Sequence, residues 1–186
     1  MRGEFHLILR KTIKHYVKEM WRWPLRKRMR GALRNREFSL ITANCVGGIL
    51  SHDVGEQFRS PTIKLIIPDF VTFCENLERY LNEISMIPRG FTGQGYPVCM
   101  LDELEIIGVH YSCHEELINC WNRRKTRVNF NCIFLMATDS FINSQEKAIR
   151  FDALPWPKVC FTAKPNCEYG WYIVLSFRRT RKWEIY

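Results

Sequence analysis

Between Phe38 and Asp53 the chain reads Phe38-Ser-Leu-Ile-Thr-Ala-Asn-Cys-Val-Gly-Gly-Ile-Leu-Ser-His-Asp, and this stretch constrains the fold most. Its apolar start, Phe38–Ala43, reads as a buried strand. The strand stops at Asn44, Cys45, Val46, Gly47 and Gly48, and a short helix over Gly48–Glu56 carries His52 and Asp53. A strand that runs into glycines and then a helix is the opening half of an α/β unit. Open α/β sheets bind ligands outside such strand ends. The junction therefore places a thiol, backbone amides and an imidazole where a site is expected.

The rest of the chain repeats the alternation. Thr62–Ile67 reads as a strand entered through Ser60-Pro61, and Pro68-Asp69 opens a helix of about fifteen residues striped by Phe70, Phe73, Leu77, Leu81 and Ile84. Proline and glycine mark residues 88–97 as a loop, and the stretch Gly90–Gly95 reads as either a lid or an ordinary connection. Val98–Met100 and Leu104–His110 read as strands of a hairpin turned at Leu101-Asp102-Glu103. A helix over Ser112–Arg127, a strand over Asn131–Ala137, a helix over Ser144–Phe151 and strands at Val159–Thr162 and Trp171–Phe177 follow. The expected fold class is α/β, a mixed or largely parallel sheet flanked by helices, with residues 37–186 as a single domain.

Residues 1–36 are set apart by charge. They hold twelve of the 28 lysines and arginines against Glu4 and Glu19, so they carry the whole net charge of +9 and the body is close to neutral. This uneven placement argues against a surface that binds polyanions all over. Apolar Leu9, Ile13, Tyr16, Val17 and Met20 recur at helical spacing among the basic residues, with a kink or restart of the helix expected at Pro24, beside Trp21 and Trp23. Two readings of this basic helical extension stay open. It packs on the domain by its apolar stripe, or it lies on an anionic membrane surface. Nucleic acid is the least expected partner. No apolar run approaches the ~20 residues of a membrane span and no signal peptide is evident, so a cytoplasmic location is expected.

The eight cysteines contain no CxxC pair, and the spacing of Cys113, His114 and Cys120 matches no common zinc pattern. No metal site is expected. Cys45 is the candidate nucleophile, with Gly47 and Gly48 as amide donors and His52, His110 or His114 as base. Against this stands the general tendency of cysteine to be a small buried hydrophobe. Arg123, Arg124 and Arg127 share a helix end and are candidates for gripping a phosphate or carboxylate, with Asn44, Asn129 and Asp139 as further polar groups at strand termini. A solvated helix end is the competing explanation of the arginines.

These pieces in this order resemble a known family: Phe38 to Gly48, His52-Asp53, Ser60-Pro61-Thr62, Asp69-Phe70, Asn76-Leu77-Glu78-Arg79-Tyr80, Tyr96-Pro97-Val98, His110-Tyr111, Trp121-Asn122-Arg123-Arg124, Arg127-Val128-Asn129, Asp139, and Lys158-Val159-Cys160-Phe161-Thr162. The chain is similar to the bacterial exopolysaccharide biosynthesis proteins catalogued as domain of unknown function nineteen-nineteen, from about Glu37 to the mid-160s, with the basic first 36 residues outside the match. The resemblance implies an intracellular α/β protein of capsule or exopolysaccharide assembly. It implies an acyltransferase acting on a sugar or lipid-linked glycan, with an acyl-thioester donor. A glycosyltransferase using a nucleotide-sugar donor, or a non-enzymatic module at a membrane surface or on nucleic acid, are the alternatives. The oligomeric state is not legible.

Overall fold

The computed structural model describes residues 20–162 and 172–174. Two sheets share one core. The first is parallel, with strand order β1-β5-β6-β7, where β1 is Ser39–Thr42, β5 is Ile133–Thr138, β6 is Lys158–Thr162 and β7 is Tyr172–Val174. Ile41 lies opposite Leu135, and Ala137 opposite Cys160. The second is antiparallel, with order β2-β3-β4, formed by Ile87–Phe91, Pro97–Leu101 and Leu104–Ile107. The α/β class with flanking helices is as expected, and the sheets divide by direction.

Helix α1 covers residues 20–32 and α2 covers Val46–Val54. Helices α3 (Phe70–Glu75) and α4 (Leu77–Asn82) follow, then α5 (His114–Lys125) and α6 (Gln145–Asp152). The core joins Ile41, Leu135 and Ala137 of the parallel sheet to Leu101 and Ile106 of the antiparallel one through Phe70, Phe73, Trp121 and Phe151. Phe73 stacks on Tyr80 at 5.9 Å and meets the Trp121 ring at 6.3 Å. Such aromatic pairs add to the burial term that dominates folding. Cys74, Cys99 and Cys160 are buried there as small hydrophobes.

Four local expectations need correction. Thr62–Ile67 is not a strand. Ile63, Leu65 and Ile67 are buried as the alternation demands, but the segment turns at Lys64, whose φ of 65° is left-handed, and Leu65 N–H closes on Thr62 O at 3.2 Å. The segment is a strap between the sheets. Ile66 pairs with Ile107 of β4, Ile67 N–H reaches Ala43 O at 3.1 Å, and Thr62 Oγ1 accepts the Thr42 amide at 3.1 Å on the open edge of β1. These bonds satisfy backbone groups that burial would otherwise strand.

The fifteen-residue helix is broken at Asn76 (φ −113°), whose side chain donates back to Thr72 O at 3.1 Å. An asparagine that bonds its own backbone competes with helix continuation. The loop expected over 88–97 contributes β2, an exposed edge strand in which the register slips between Pro88 and Gly90. Proline and glycine are tolerated at such an edge and bulge. Gly90 and Phe91 thus end β2, and residues 92–96 connect it to β3, closed by Gly95 N–H on Thr92 O at 2.8 Å.

The helix restart expected as one outcome at Pro24 does not occur: α1 runs through the proline. Its anchors lie on both sides of the proline: Arg22 and Arg26 bind the Asp53 carboxylate, and Arg30 Nε donates to Asp53 O at 3.0 Å. The stripe from Leu9 to Val17 lies outside the described residues, and Met20 is exposed. Among the described residues no helix is long and apolar enough to cross a membrane.

Candidate functional site

The C-terminal end of β1 opens into a cavity of about 510 Å³. Its walls come from four places in the chain. The β1–α2 junction and α2 supply Cys45, Gly48, Ile49, His52 and Asp53, and α1 supplies Arg22 and Arg26. The residues after α2 and the strap supply Phe58, Ile63 and Lys64, and the turn after β4 supplies His110. Cys45, His52 and His110, far apart or on opposite ends of a helix in sequence, therefore face one space.

The junction forms because its backbone is packed tightly. Asn44 Oδ1 accepts the Val46 amide at 3.1 Å, and Thr42 Oγ1 donates to Asn44 O at 2.7 Å. A Cβ on Gly47 would stand 2.6 Å from Thr42 Oγ1, so only glycine lets the first turn of α2 lie against the strand. Gly48 N–H is engaged by Cys45 O at 3.3 Å. Gly47 is buried against Thr42, so its missing side chain serves the close turn. Gly55, at φ 77°, ends α2.

Cys45 is half-buried, and its thiol lies 4.0 Å from Leu65 O. Burial pushes the thiol up, while its own backbone amide and the Lys64 charge pull it down without offsetting that rise. It is therefore a protonated thiol at neutral pH, without the depressed pKa of an activated nucleophile. The imidazoles of His52 and His110 are exposed to the cavity mouth, and His52 Nδ1 lies 3.7 Å from Asp53 Oδ1.

Asp53 is the structural centre of this wall, with its side chain 5% exposed. Burial pushes its carboxyl up, but the hydrogen bonds and charges of Arg26 and Arg22 outweigh that and hold it below the usual aspartate range. The Arg26 Nε–Oδ1 distance is 2.8 Å. The carboxylate thus fixes two arginines on the rim of the cavity.

The other sequence candidates sit elsewhere. Arg124 is buried behind the wall, donating to Ile63 O at 3.2 Å and Tyr111 Oη at 2.6 Å. Arg123 is exposed beside Cys120, and Arg127 follows the end of α5 with its amide on Arg124 O. Asn129 works at the opposite end of β1, where its side chain donates to Glu37 O at 2.7 Å. Asp139 follows β5 and accepts from Thr162 Oγ1 at 2.9 Å. His114 is taken up by sheet packing, with Nε2 2.7 Å from Gly90 O and its ring edge-on to Phe91.

Sequence reasoning missed Arg22, Arg26, Phe58, Ile63 and Lys64 as wall residues. Two signals pointed to them. A lysine interrupts the apolar alternation of Thr62–Ile67, and an aspartate in a packed helix needs cations that only the basic segment holds in excess.

Comparison with known proteins adds the following. The sequence profile of the Domain of unknown function (DUF1919) family matches residues 16–184. The match takes in α1 and extends past the mid-160s, correcting the narrower span read from the motifs and bringing residues 16–36 of the basic segment into the family. An uncharacterised protein of Haemophilus influenzae is 34% identical over 158 residues, covering 82% of this chain and 75% of that protein.

Proposed function

This chain belongs to the Domain of unknown function (DUF1919) family, and on that footing we propose that its cavity is the active site of an acyltransferase acting on a sugar or lipid-linked glycan. The observation that carries the reading is the meeting of one thiol and two imidazoles in a single cavity of about 510 Å³ at a strand end. The exopolysaccharide or capsule setting rests on the motif resemblance.

The chemistry follows from the state of each group. An imidazole at the mouth, His110 or His52, accepts the proton of a glycan hydroxyl. The hydroxyl oxygen bonds to the thioester carbonyl carbon, the carbon–sulfur bond breaks, and the imidazolium returns its proton to the departing thiolate. With its pKa raised, Cys45 suits a role in orienting the donor better than a covalent relay. Trp21 and Trp23, 80% and 63% exposed on a basic helix, support a peripheral seat on an anionic membrane face, where a lipid-linked acceptor would lie.

The test is release of free thiol from acetyl-coenzyme A by the full-length protein against a panel of hexoses, N-acetylhexosamines and polyprenyl-linked sugars. Release that needs an acceptor and falls about 100-fold or more in His110→Asn or His52→Asn supports the reading. Cys45→Ser is expected to keep activity within about tenfold, as direct transfer requires. No acceptor-dependent release, or full activity in the double histidine variant, overturns it.

A further inference from the structure

We propose that the cavity is built for a phosphoryl-bearing ligand, with the phosphoryl group held between Arg22 and Arg26 on one wall and Lys64 on another, in the field of Arg124 behind them. The inference shares the cavity of the proposed acyltransferase but needs none of its chemistry.

Among the described residues the charges around the cavity do not balance. Arg22, Arg26 and Lys64 line it, and Asp53 is the carboxylate among the lining residues. Lys64 forms no salt bridge among the described residues. Its ammonium lies 5.9 Å from the centre of the Tyr111 ring. Glu116, a carboxylate that feels its charge, is committed to the Ser112 amide and hydroxyl at 3.0 and 2.8 Å.

Arg124 deepens the imbalance. It is 8% exposed, and among the described residues it meets neutral groups: Ile63 O, Tyr111 Oη and the Phe58 ring, 5.8 Å away. Ile63 and Phe58 are themselves cavity wall, so this guanidinium stands one side chain behind it. A buried cation without a counter-ion is costly, and in a partly apolar space its field is weakly screened.

Among the described residues Arg22, Lys64 and Arg124 alone outnumber the Asp53 carboxylate, and that excess calls for an anion of more than one charge. A phosphate carries about −1.5 to −2 at neutral pH and offers several acceptor oxygens, whereas a carboxylate brings a single charge in a plane. Arginine grips such oxygens in pairs and lysine adds a point charge. The volume exceeds what phosphate needs, and Ile49, Phe58 and Gly48 line the remainder for a ring or an alkyl chain.

The experiment titrates the full-length protein calorimetrically with inorganic pyrophosphate, uridine diphosphate and farnesyl diphosphate, at an ionic strength held constant with chloride. Binding of at least one, weakened about tenfold in Lys64→Met and in Arg22→Gln but unchanged in Arg89→Gln on exposed β2, supports the proposal. Tightest binding of farnesyl diphosphate assigns a lipid-linked phosphate, of uridine diphosphate a nucleotide, and equal binding of all three the phosphoryl group alone. Arg124→Gln would also strip hydrogen bonds from Ile63 and Tyr111, so the lysine variant carries the test. No binding above the chloride control, or wild-type binding in both Lys64→Met and Arg22→Gln, overturns the proposal. Diphosphate binding without thiol release refutes the acyltransferase reading alone, and thiol release without diphosphate binding refutes this one alone.

Discussion

At Asp53, three arginines of α1 meet one residue of α2, and the shape of the cavity depends on that meeting. Replacing the carboxylate by an amide removes the anion that Arg22 and Arg26 share. Asp53→Asn is expected to cost about 2 kcal/mol, less than the roughly 3–5 kcal/mol of a fully buried pair because both guanidinium groups reach solvent. The pH dependence follows from the direction of the shift. The folded-state pKa lies below the unfolded one, so the contribution is complete above the unfolded value of about 4 and drains away as pH falls through the folded value. Urea midpoints measured from about pH 7 down to about pH 3 should therefore fall more steeply in the wild type than in Asp53→Asn. Equal slopes would show that Asp53 does not hold α1. The sequence displayed His52-Asp53 beside a candidate thiol, and three of those reading positions share the cavity. It did not display that Asp53 would be spent on arginines, because that pairing spans about thirty residues and no local pattern encodes it.

Elements were legible where one physical preference dominated. The strand at β1, the helices α2, α5 and α6 and the hairpin of β3 and β4 follow from apolar periodicity and turn residues alone. Ser144 caps α6 by accepting the Lys147 amide at 3.1 Å. Elements were misread where a tertiary bond outweighed the local pattern. Thr62–Ile67 has the alternation of a strand, yet Thr62 is drawn onto the edge of β1 and Lys64 turns the chain. β2 contains proline and glycine, yet β3 supplies a partner that tolerates both at an edge. The β1–α2 junction gives a test at this scale. Gly47→Ala forces a methyl to 2.6 and 2.7 Å from Thr42 side-chain atoms and should cost about 1–3 kcal/mol in urea unfolding. Gly48→Ala meets Ile63 at 3.2 Å, a contact that a small shift relieves, and should cost clearly less. Equal costs would mean that α2 does not lie against β1 as described.

For the whole molecule, the strap over residues 62–67 decides whether the two sheets act as one body. Ile66 exchanges hydrogen bonds with Ile107 at 2.9 and 3.0 Å, and Ile67 binds Ala43 at 3.1 Å, so one short segment is tied to both sheets. The aromatic core adds contacts from both sides. Amide hydrogen exchange should therefore report one cooperative opening, with the amides of β1, β5, β3 and β4 protected to the same free energy. A lower, separate plateau for β3 and β4 would show that the antiparallel sheet opens by itself. The cavity lies where the strap, α1 and α2 come together, so its integrity belongs to this larger unit and not to any one element.

What the sequence by itself determined was the alternation of strands and helices, the sharp glycine junction and the concentration of positive charge in one segment. Periodicity, backbone sterics and charge count are local properties, and they act over a few residues. Only the tertiary structure decided which arginines face the cavity, that Lys64 joins them, and that Arg124 stands behind the wall while Asn129 works at the far end of β1. Those outcomes come from packing and from pairing buried charges across tens of residues, and the energy of such a pair depends on the position of both partners and not on either one's neighbours in the chain.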